Sequence, residues 1–390
     1  MRILFTAQAA FSHVHPLVLP LARSAREAGH DVLVATSPEL APDLDLPAGD
    51  VLVLPRSQPL GQVMRRLSAE AADRPRTPDA GPAANGTSPE LFARGFVSTI
   101  APTTAEDLLA ACGDRPPDLV VREASEFGGH LAAEVLGVPH RVLDIGPMSH
   151  ASDPVVLAAL DVQRARFGLP PLEPGRIWGS GRIGVVPEAF YPPSLRPAGA
   201  GYFQVPSPRR PTPLPRTVAD LPGDRPLVLA GLGSNAAMVP GIDRILDAII
   251  VALGRLPVSA VVALGADQDP WAWTGARAPN VVLESFVPQQ ELLSTCDLFI
   301  THAGFNGVRE AIAAGVPMVA LPLFADQPAT AARVEEIGLG RVLDPAVVDP
   351  ETLAVTVART LRNPAVRCTA RAMQRQTLAL PPLVDALTAP

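Results

Sequence analysis

The amino-acid sequence predicts an α/β protein of two Rossmann-like domains, each built on a doubly wound parallel sheet. Three observations lead there. Short apolar runs alternate with amphipathic or Ala-rich segments along much of the chain, the pattern of successive βα units. At 390 residues the chain is too long for one ordinary core and suits two of about 150–200 residues. A proline-dense stretch from Pro206 to Pro226 (PSPRRPTPLPRTVADLPGDRP) interrupts the pattern near the middle. It predicts a semi-rigid linker between domains at 1–205 and 227–379.

In the first domain, Arg2 to Thr6 predicts a buried strand, and the segment from Pro16 a helix with proline in its first turn. Gly29-His30-Asp31 ends that helix, and Val32 to Ala35 is the second strand. The join Gln8 to His15 contains Ser12-His13-Val14-His15-Pro16 and lies at a strand carboxyl end, where α/β proteins bind ligands. Taken alone, these histidines are read first as helix caps. Arg56 to Ser98 is polar and rich in Pro, Gly and Asn, with only Gln62 to Ala72 helical, which predicts a long binding loop. Helix Thr104 to Ala111 follows, then strand Pro117 to Val121 running into Arg122-Glu123-Ala124-Ser125-Glu126. A helix from His130 to Leu136 leads to strand Arg141 to Leu143. Ile145 to Tyr191 mixes loop with a helix from Pro154 to Arg166, and Met148, Ser149, His150 and Trp178 are its candidate ligand contacts.

The second domain opens on strand Leu227 to Ala230 and the small-residue turn Gly231-Leu232-Gly233-Ser234-Asn235. A dinucleotide fingerprint needs another glycine at position 236, which is Ala, so a nicotinamide site is disfavoured. The most informative stretch is Glu284 to Gln327. There the apolar strand Leu298 to Ile300 is followed by Thr301-His302-Ala303-Gly304-Phe305-Asn306-Gly307 and an Ala-rich helix from Val308 to Ala314. Two glycines let backbone approach a ligand, and a helix starting there aims unpaired N–H groups at an anion such as a diphosphate. Gly315-Val316-Pro317 stops the helix before strand Met318 to Leu321. Helix Ala329 to Ile337, strand Arg341 to Leu343 and helices near Pro350 to Leu361 and Ala365 to Leu378 complete the domain.

Hydrophobic content of 47% supplies ample core material, and a net charge of −7 without a basic cluster argues against nucleic acid or an anionic membrane as partner. Three scattered cysteines, Cys112, Cys296 and Cys368, suggest neither a disulfide framework nor a zinc site. The amino terminus lacks the long apolar core of a signal peptide, so a cytoplasmic location is expected. Asp43-Leu-Asp45 and Asp267-Gln-Asp269 have the D-x-D spacing of a divalent-metal motif, but neither follows a convincing strand end in the second domain, and no metal is expected.

At His302, Gly304, Phe305, Asn306 and Glu310, with Phe286-Val287-Pro288-Gln289 upstream and Asp326-Gln327 downstream, the sequence resembles the nucleotide-sugar signature of GT-B glycosyltransferases. The resemblance is to the inverting enzymes that decorate small molecules, and among them to actinobacterial antibiotic glycosyltransferases. It implies two Rossmann-like domains with a cleft between them, and a last segment, 380–390, that returns to the first domain. It further implies His13 as the base that takes the acceptor proton and Glu123 as its orienting carboxylate, with Glu126 competing for that place. Relatives often carry aspartate where Glu123 stands. On the donor side it implies that Ser234, His302, Gly304 and the Asn306-Gly307 turn hold the phosphates. Phe286 and Val287 would hold the base, Gln289 and Glu310 the nucleoside, and Asp326 and Gln327 the sugar. The substrates implied are a dTDP-sugar, favoured over UDP-sugar, and a natural-product aglycone such as a polyketide, with no cofactor. A homodimer is left open, as are two rivals, a nucleotide-sugar epimerase and a non-catalytic auxiliary homologue.

Overall fold

The computed structural model of the chain describes residues 1–72, 88–146, 150–196, 199–206, 212–233, 236, 239–265 and 268–388. The chain divides into two compact units, Met1–Ser207 with Leu380–Pro390, and Pro208–Ala379.

The described strands of the first unit form one parallel sheet: β1 (Arg2–Thr6), β2 (Asp31–Thr36), β3 (Val51–Val53), β4 (Leu119–Glu123), β5 (His140–Leu143), β6 (Arg182–Gly184) and β7 (Gly201–Tyr202). Their order is β3-β2-β1-β4-β5-β6-β7. The chain thus builds outward from β1, then returns to lay β4 on its free edge, pairing Thr6 with Arg122. This reversal leaves a crevice outside the carboxyl ends of β1 and β4, the topological switch point. Leu4, Phe5, Val120 and Val121, all buried, make the two central strands apolar on both faces, as a sheet covered by helices requires.

Two helices begin earlier than the sequence patterns predict. The first starts at Phe11, not Pro16: a turn at Phe11–His13 runs through a wider π-turn at Val14–Val18 into Leu19–Glu27. Pro16 lacks an N–H, and a π-turn absorbs the missing bond without ending the helix. His13 therefore sits on the first helical turn. The second correction is larger, because residues 89–98, assigned to the polar excursion, belong to a helical run from Pro89 to Cys112. Ser88 caps its start by accepting from Leu91 N at 3.2 Å. Phe92, Phe96, Val97, Ala101, Ala105 and Leu108 bury one face at helical spacing. Gly95 lies at the close crossing with helix Leu60–Ala72, where a Cβ would lie 2.8 Å from Met64 Sδ. Strands β6 and β7 have too few residues to show as a pattern.

The second unit's described strands form a parallel sheet of β8 (Leu227–Gly231), β9 (Ser259–Ala263), β10 (Val281–Glu284), β11 (Leu298–Thr301), β12 (Met318–Ala320) and β13 (Gly340–Val342). The order β10-β9-β8-β11-β12-β13 repeats the reversal, with Gly231 paired to Thr301 at the switch point. Helix Phe305–Ala314 ends on Gly315 at φ 72°, the left-handed cap that only glycine adopts without strain. The proline-dense stretch is no free linker beyond residue 212. Thr212 N donates to Glu291 at 3.2 Å, the Thr217 hydroxyl bonds Glu284, and Val218 is the buried residue of the short helix Arg216–Ala219. The tail packs on the first unit: Leu383 N donates to Gln204 O at 2.9 Å, and Leu383, Ala386 and Leu387 are buried. Among the described residues no helix is long and apolar enough to cross a membrane.

Candidate active site

Each switch point collects polar side chains that lie far apart in sequence. In the first unit the turn after β1 meets the turn after β4. His13 Nδ1 lies 3.0 Å from Glu123 Oε2, and Glu123, the last residue of β4, is fully buried. The carboxylate also receives Ser125 N at 2.5 Å and the Ser125 hydroxyl at 3.0 Å. Burial alone would raise the Glu123 carboxyl. The nearby His13 charge, with hydrogen bonds from His13 and Ser125, outweighs burial and holds it below its ordinary range. Glu123 is thus an ionised acceptor; in the neutral imidazole, an Nδ1–H donated to it leaves Nε2 with a lone pair.

Glu126 faces elsewhere. It accepts from the Thr6 hydroxyl at 2.6 Å and from Gly128 N and Gly129 N at 2.5 and 2.8 Å, at the start of helix Gly128–Leu136. Burial raises its carboxyl, with those bonds opposing. His15 stacks on Phe11, ring centroids 4.0 Å apart, and burial lowers its imidazole. Sequence reasoning missed Gln8, Ser125 and Arg122. Gln8 Nε2 donates to Ser125 O at 2.8 Å and so braces the turn. The one legible signal was an arginine inside the apolar strand LVVRE.

Of the candidate acceptor contacts, His150 meets the edge of Phe92 at 5.8 Å between ring centroids, and Trp178 lies under the Arg182 guanidinium at 4.6 Å. Both adjoin a core that includes Phe92, Phe96, Phe127 and Leu160. Met148, Ser149 and Ser234 fall outside the described residues.

Among the described residues one cluster has the composition of a metal site: His130, Glu134 and His140. Its hydrogen bonds have a fixed direction. Arg164 Nη1, only a donor, lies 2.9 Å from His130 Nε2, so His130 carries its proton on Nδ1 and gives it to His140 Nε2 at 3.4 Å. The Ile177 carbonyl partners His140 in turn. Burial first, then the charge of Arg122, lowers both histidines, His140 to about 3. The pair is a neutral relay that ties three elements to the Ile177 carbonyl.

In the second unit the turn after β11 meets the turn after β8. The His302 ring lies between two glycines: a Cβ on Gly233 would come within 2.7 Å of it and one on Gly304 within 2.3 Å. Gly304 therefore makes room for the imidazole. Burial lowers His302 to about 4, with the Gly231 carbonyl opposing, so the ring is neutral near pH 7. Ala303 holds φ 61° and Ala325 φ 55°, left-handed positions that cost a residue with a Cβ about 1–3 kcal/mol. Both lie in turns at the carboxyl ends of strands. Helix Phe305–Ala314 begins here, with Gly304 as its N-cap residue and Asn306 and Gly307 in its first turn.

Glu310, one turn further on, receives Gln289 Nε2 at 2.7 Å and Arg309 Nη2 at 3.3 Å. Phe286 is 65% exposed while Val287 is buried, so the phenyl ring stands free on a fixed backbone. Asp326 is the N-cap residue of helix Gln327–Glu336. Gln327 is buried, and its Oε1 accepts from Leu323 N and Phe324 N at 2.8 and 3.0 Å. A ligand contact by that side chain would therefore come from Nε2. Of the D-x-D pairs, Asp45 joins Arg23 at 3.1 Å and Asp269 accepts from Trp271 N at 2.9 Å, while residue 267 is outside the described set.

Comparison with known proteins matches residues 23–165 to the erythromycin biosynthesis protein CIII-like N-terminal domain and residues 247–386 to the corresponding C-terminal domain. The chain is 27% identical over 411 residues to the 3-alpha-mycarosylerythronolide B desosaminyl transferase of Saccharopolyspora erythraea, covering 98% of this chain and 95% of that one. It is 29% identical over 414 residues to the 10-deoxymethynolide desosaminyltransferase of Streptomyces venezuelae, covering 98% and 94%. In fold it is similar to the glycosyltransferase SnogD from Streptomyces nogalater, with TM-score 0.74, 23% identity, and 100% and 98% of the two chains covered. It is likewise similar to the glycosyltransferase VinC in complex with dTDP, with TM-score 0.75, 24% identity, and 100% and 98% covered. The two parallel-sheet units are thus those of the GT-B fold. With both domain families matched in chain order, the protein belongs to the EryCIII-like glycosyltransferases and is a nucleotide-sugar-dependent glycosyltransferase.

Proposed function

We propose that the protein transfers a deoxysugar from a dTDP-sugar to a polyketide aglycone, with inversion and without a metal ion. The observation that carries the mechanism is the His13–Glu123 pair at 3.0 Å, with a buried ionised carboxylate on Nδ1. His13 Nε2 takes the proton of the acceptor hydroxyl as its oxygen attacks the anomeric carbon. The bond from that carbon to the β-phosphate oxygen breaks, and the diphosphate leaves with the electron pair. Glu123 keeps the imidazole in the right tautomer and stabilises the imidazolium.

The second unit meets the growing charge on the diphosphate with the N–H groups at the start of helix Phe305–Ala314 and with neutral His302. Phe286 stacks on the thymine, Glu310 accepts from the ribose, and Asp326 with Gln327 Nε2 holds the sugar. The choice of dTDP, deoxysugar and polyketide is supported by relatives that are named desosaminyl transferases and by the fold neighbour holding dTDP.

The test supplies dTDP-desosamine with macrolactone and anthracyclinone aglycones and follows glycosylated product by mass spectrometry. Product is expected with at least one aglycone class. His13→Ala should lower kcat by about 10²–10⁴-fold while dTDP affinity, by calorimetry, stays within about twofold. Unchanged turnover in His13→Ala would remove the base assignment. Failure to bind dTDP, or donor isomerised without any acceptor, would overturn the proposal.

A further inference from the structure

Arg122 is the largest fully buried side chain among the described residues, and it lies in the centre of the first sheet, one residue before Glu123. None of its hydrogen bonds goes to a carboxylate. Nη1 donates to the carbonyls of Glu123, Ala124 and Glu126 at 3.4, 3.3 and 3.0 Å, and Nη2 to that of Ile177 at 2.5 Å. The guanidinium also rests against the Phe127 ring at 5.6 Å. Burial pushes it down to about 10, with the charges of Glu126 and Glu123 opposing, so it remains charged at neutral pH. A charge taken out of water carries a large desolvation penalty, and an aliphatic residue would continue the strand without it. What the arginine adds is a fork of donors that gathers several carbonyls at one place.

Those carbonyls belong to two segments. Glu123, Ala124 and Glu126 form the turn whose Ser125 donates twice to the Glu123 carboxylate. Ile177 precedes Trp178 in the short helix Arg176–Trp178, and its carbonyl also partners His140 at the end of the neutral histidine relay. One guanidinium therefore closes the turn around the dyad carboxylate and fastens that turn to the Trp178 segment.

We propose that Arg122 is a positioning residue for glycosyl transfer, holding the Glu123 carboxylate on His13 Nδ1 and setting the Trp178 segment beside it. The proposal rests on the His13–Glu123 reading above. Its signature is coupling: if Arg122 acts through Glu123, its removal matters little once Glu123 can no longer serve.

A double-mutant cycle tests this with dTDP-desosamine and the aglycone it glycosylates fastest. Arg122→Met is expected to lower kcat about tenfold or more in the wild-type background, since a displacement near 1 Å can cost about 10²-fold. In Glu123→Gln it should lower kcat less than about twofold, by the non-additivity of groups that act as a unit. The dTDP dissociation constant should stay within about twofold in all four proteins. Equal factors in both backgrounds would mark Arg122 as structural only and overturn the proposal. Should Arg122→Met not fold, the same cycle with Arg122→Lys decides, because lysine keeps the charge but lacks the fork. If His13→Ala keeps full turnover, the base assignment itself fails, a result separate from additivity at Arg122.

Discussion

Replacing Glu123 with glutamine turns one carboxylate oxygen into an NH₂ group and removes one charge, and its consequence can be worked from the geometry. The carboxylate lies 3.0 Å from His13 Nδ1 and is fully buried, while the His13 side chain is 18% exposed. When the imidazole takes the acceptor proton, the pair becomes imidazolium and carboxylate. At that separation and an effective dielectric of about 20, their attraction is about 5 kcal/mol, near 10⁴-fold in rate. Water reaching the exposed edge of His13 screens part of it, so a loss of about 10²–10⁴-fold in kcat is expected. The amide adds a second effect. Ser125 N, which donates to Oε1, holds the amide oxygen in that place, and this sets the NH₂ group at the Oε2 position, toward Nδ1 and the Ser125 hydroxyl. Two donors cannot face each other, so Nδ1 becomes the acceptor and the proton moves to Nε2, where it blocks base catalysis. Steady-state kinetics by product mass spectrometry gives kcat, and calorimetry with dTDP reports on the second unit. A Glu123→Gln enzyme with kcat within about twofold of wild type would refute this reasoning.

Gly304→Ala places a Cβ 2.3 Å from His302 Nε2, so the ring must move, and dTDP affinity should fall by about 1–3 kcal/mol with circular dichroism unchanged. Phe286→Ala removes an exposed ring and should weaken dTDP binding by about 0.5–1.5 kcal/mol without shifting the melting temperature, while Phe286→Trp should retain it. His130 and His140 are neutral in the fold but titrate near 6.5 when unfolded, and His140 stays neutral down to about 3. The unfolded chain therefore binds more protons below pH 6.5, and the stability these residues contribute, complete above that pH, falls as pH drops from 6.5 toward 3. Thermal melts across that range should show the slope, and His140→Phe should flatten it. Asp144→Ala leaves Arg182 buried without the carboxylate it meets through Nη2 and Nε at 2.9 and 3.0 Å, and urea titration should show a loss of about 3–5 kcal/mol.

The sequence by itself determined the fold class, the succession of strands and helices in the second unit, and the motif around His302. Those signals are local. The apolar run Leu298 to Ile300, the glycines at 304, 307 and 315 and the Ala-rich helix lie within one βα unit, so each residue's neighbours in space are also its neighbours in the chain. The helical run from Pro89 to Cys112 was obscured because it contains Gly95 and Pro102, breakers by composition: Gly95 meets Met64, and Pro102 follows the π-turns of Ala93–Ile100, which absorb its missing N–H as at Pro16.

Which glutamate meets His13, and what surrounds it, belonged to the tertiary structure. Glu123 and Glu126 are three residues apart with the same chemistry, and no periodicity separates them. Pairing Thr6 with Arg122 across β1 and β4 turns Glu123 toward His13 and Glu126 toward the amides of Gly128 and Gly129. The same pairing buries Arg122 where its donors reach a turn on one side and Ile177, 55 residues away, on the other. A contact across that span depends on strand order and register, which exist only once the sheet has closed.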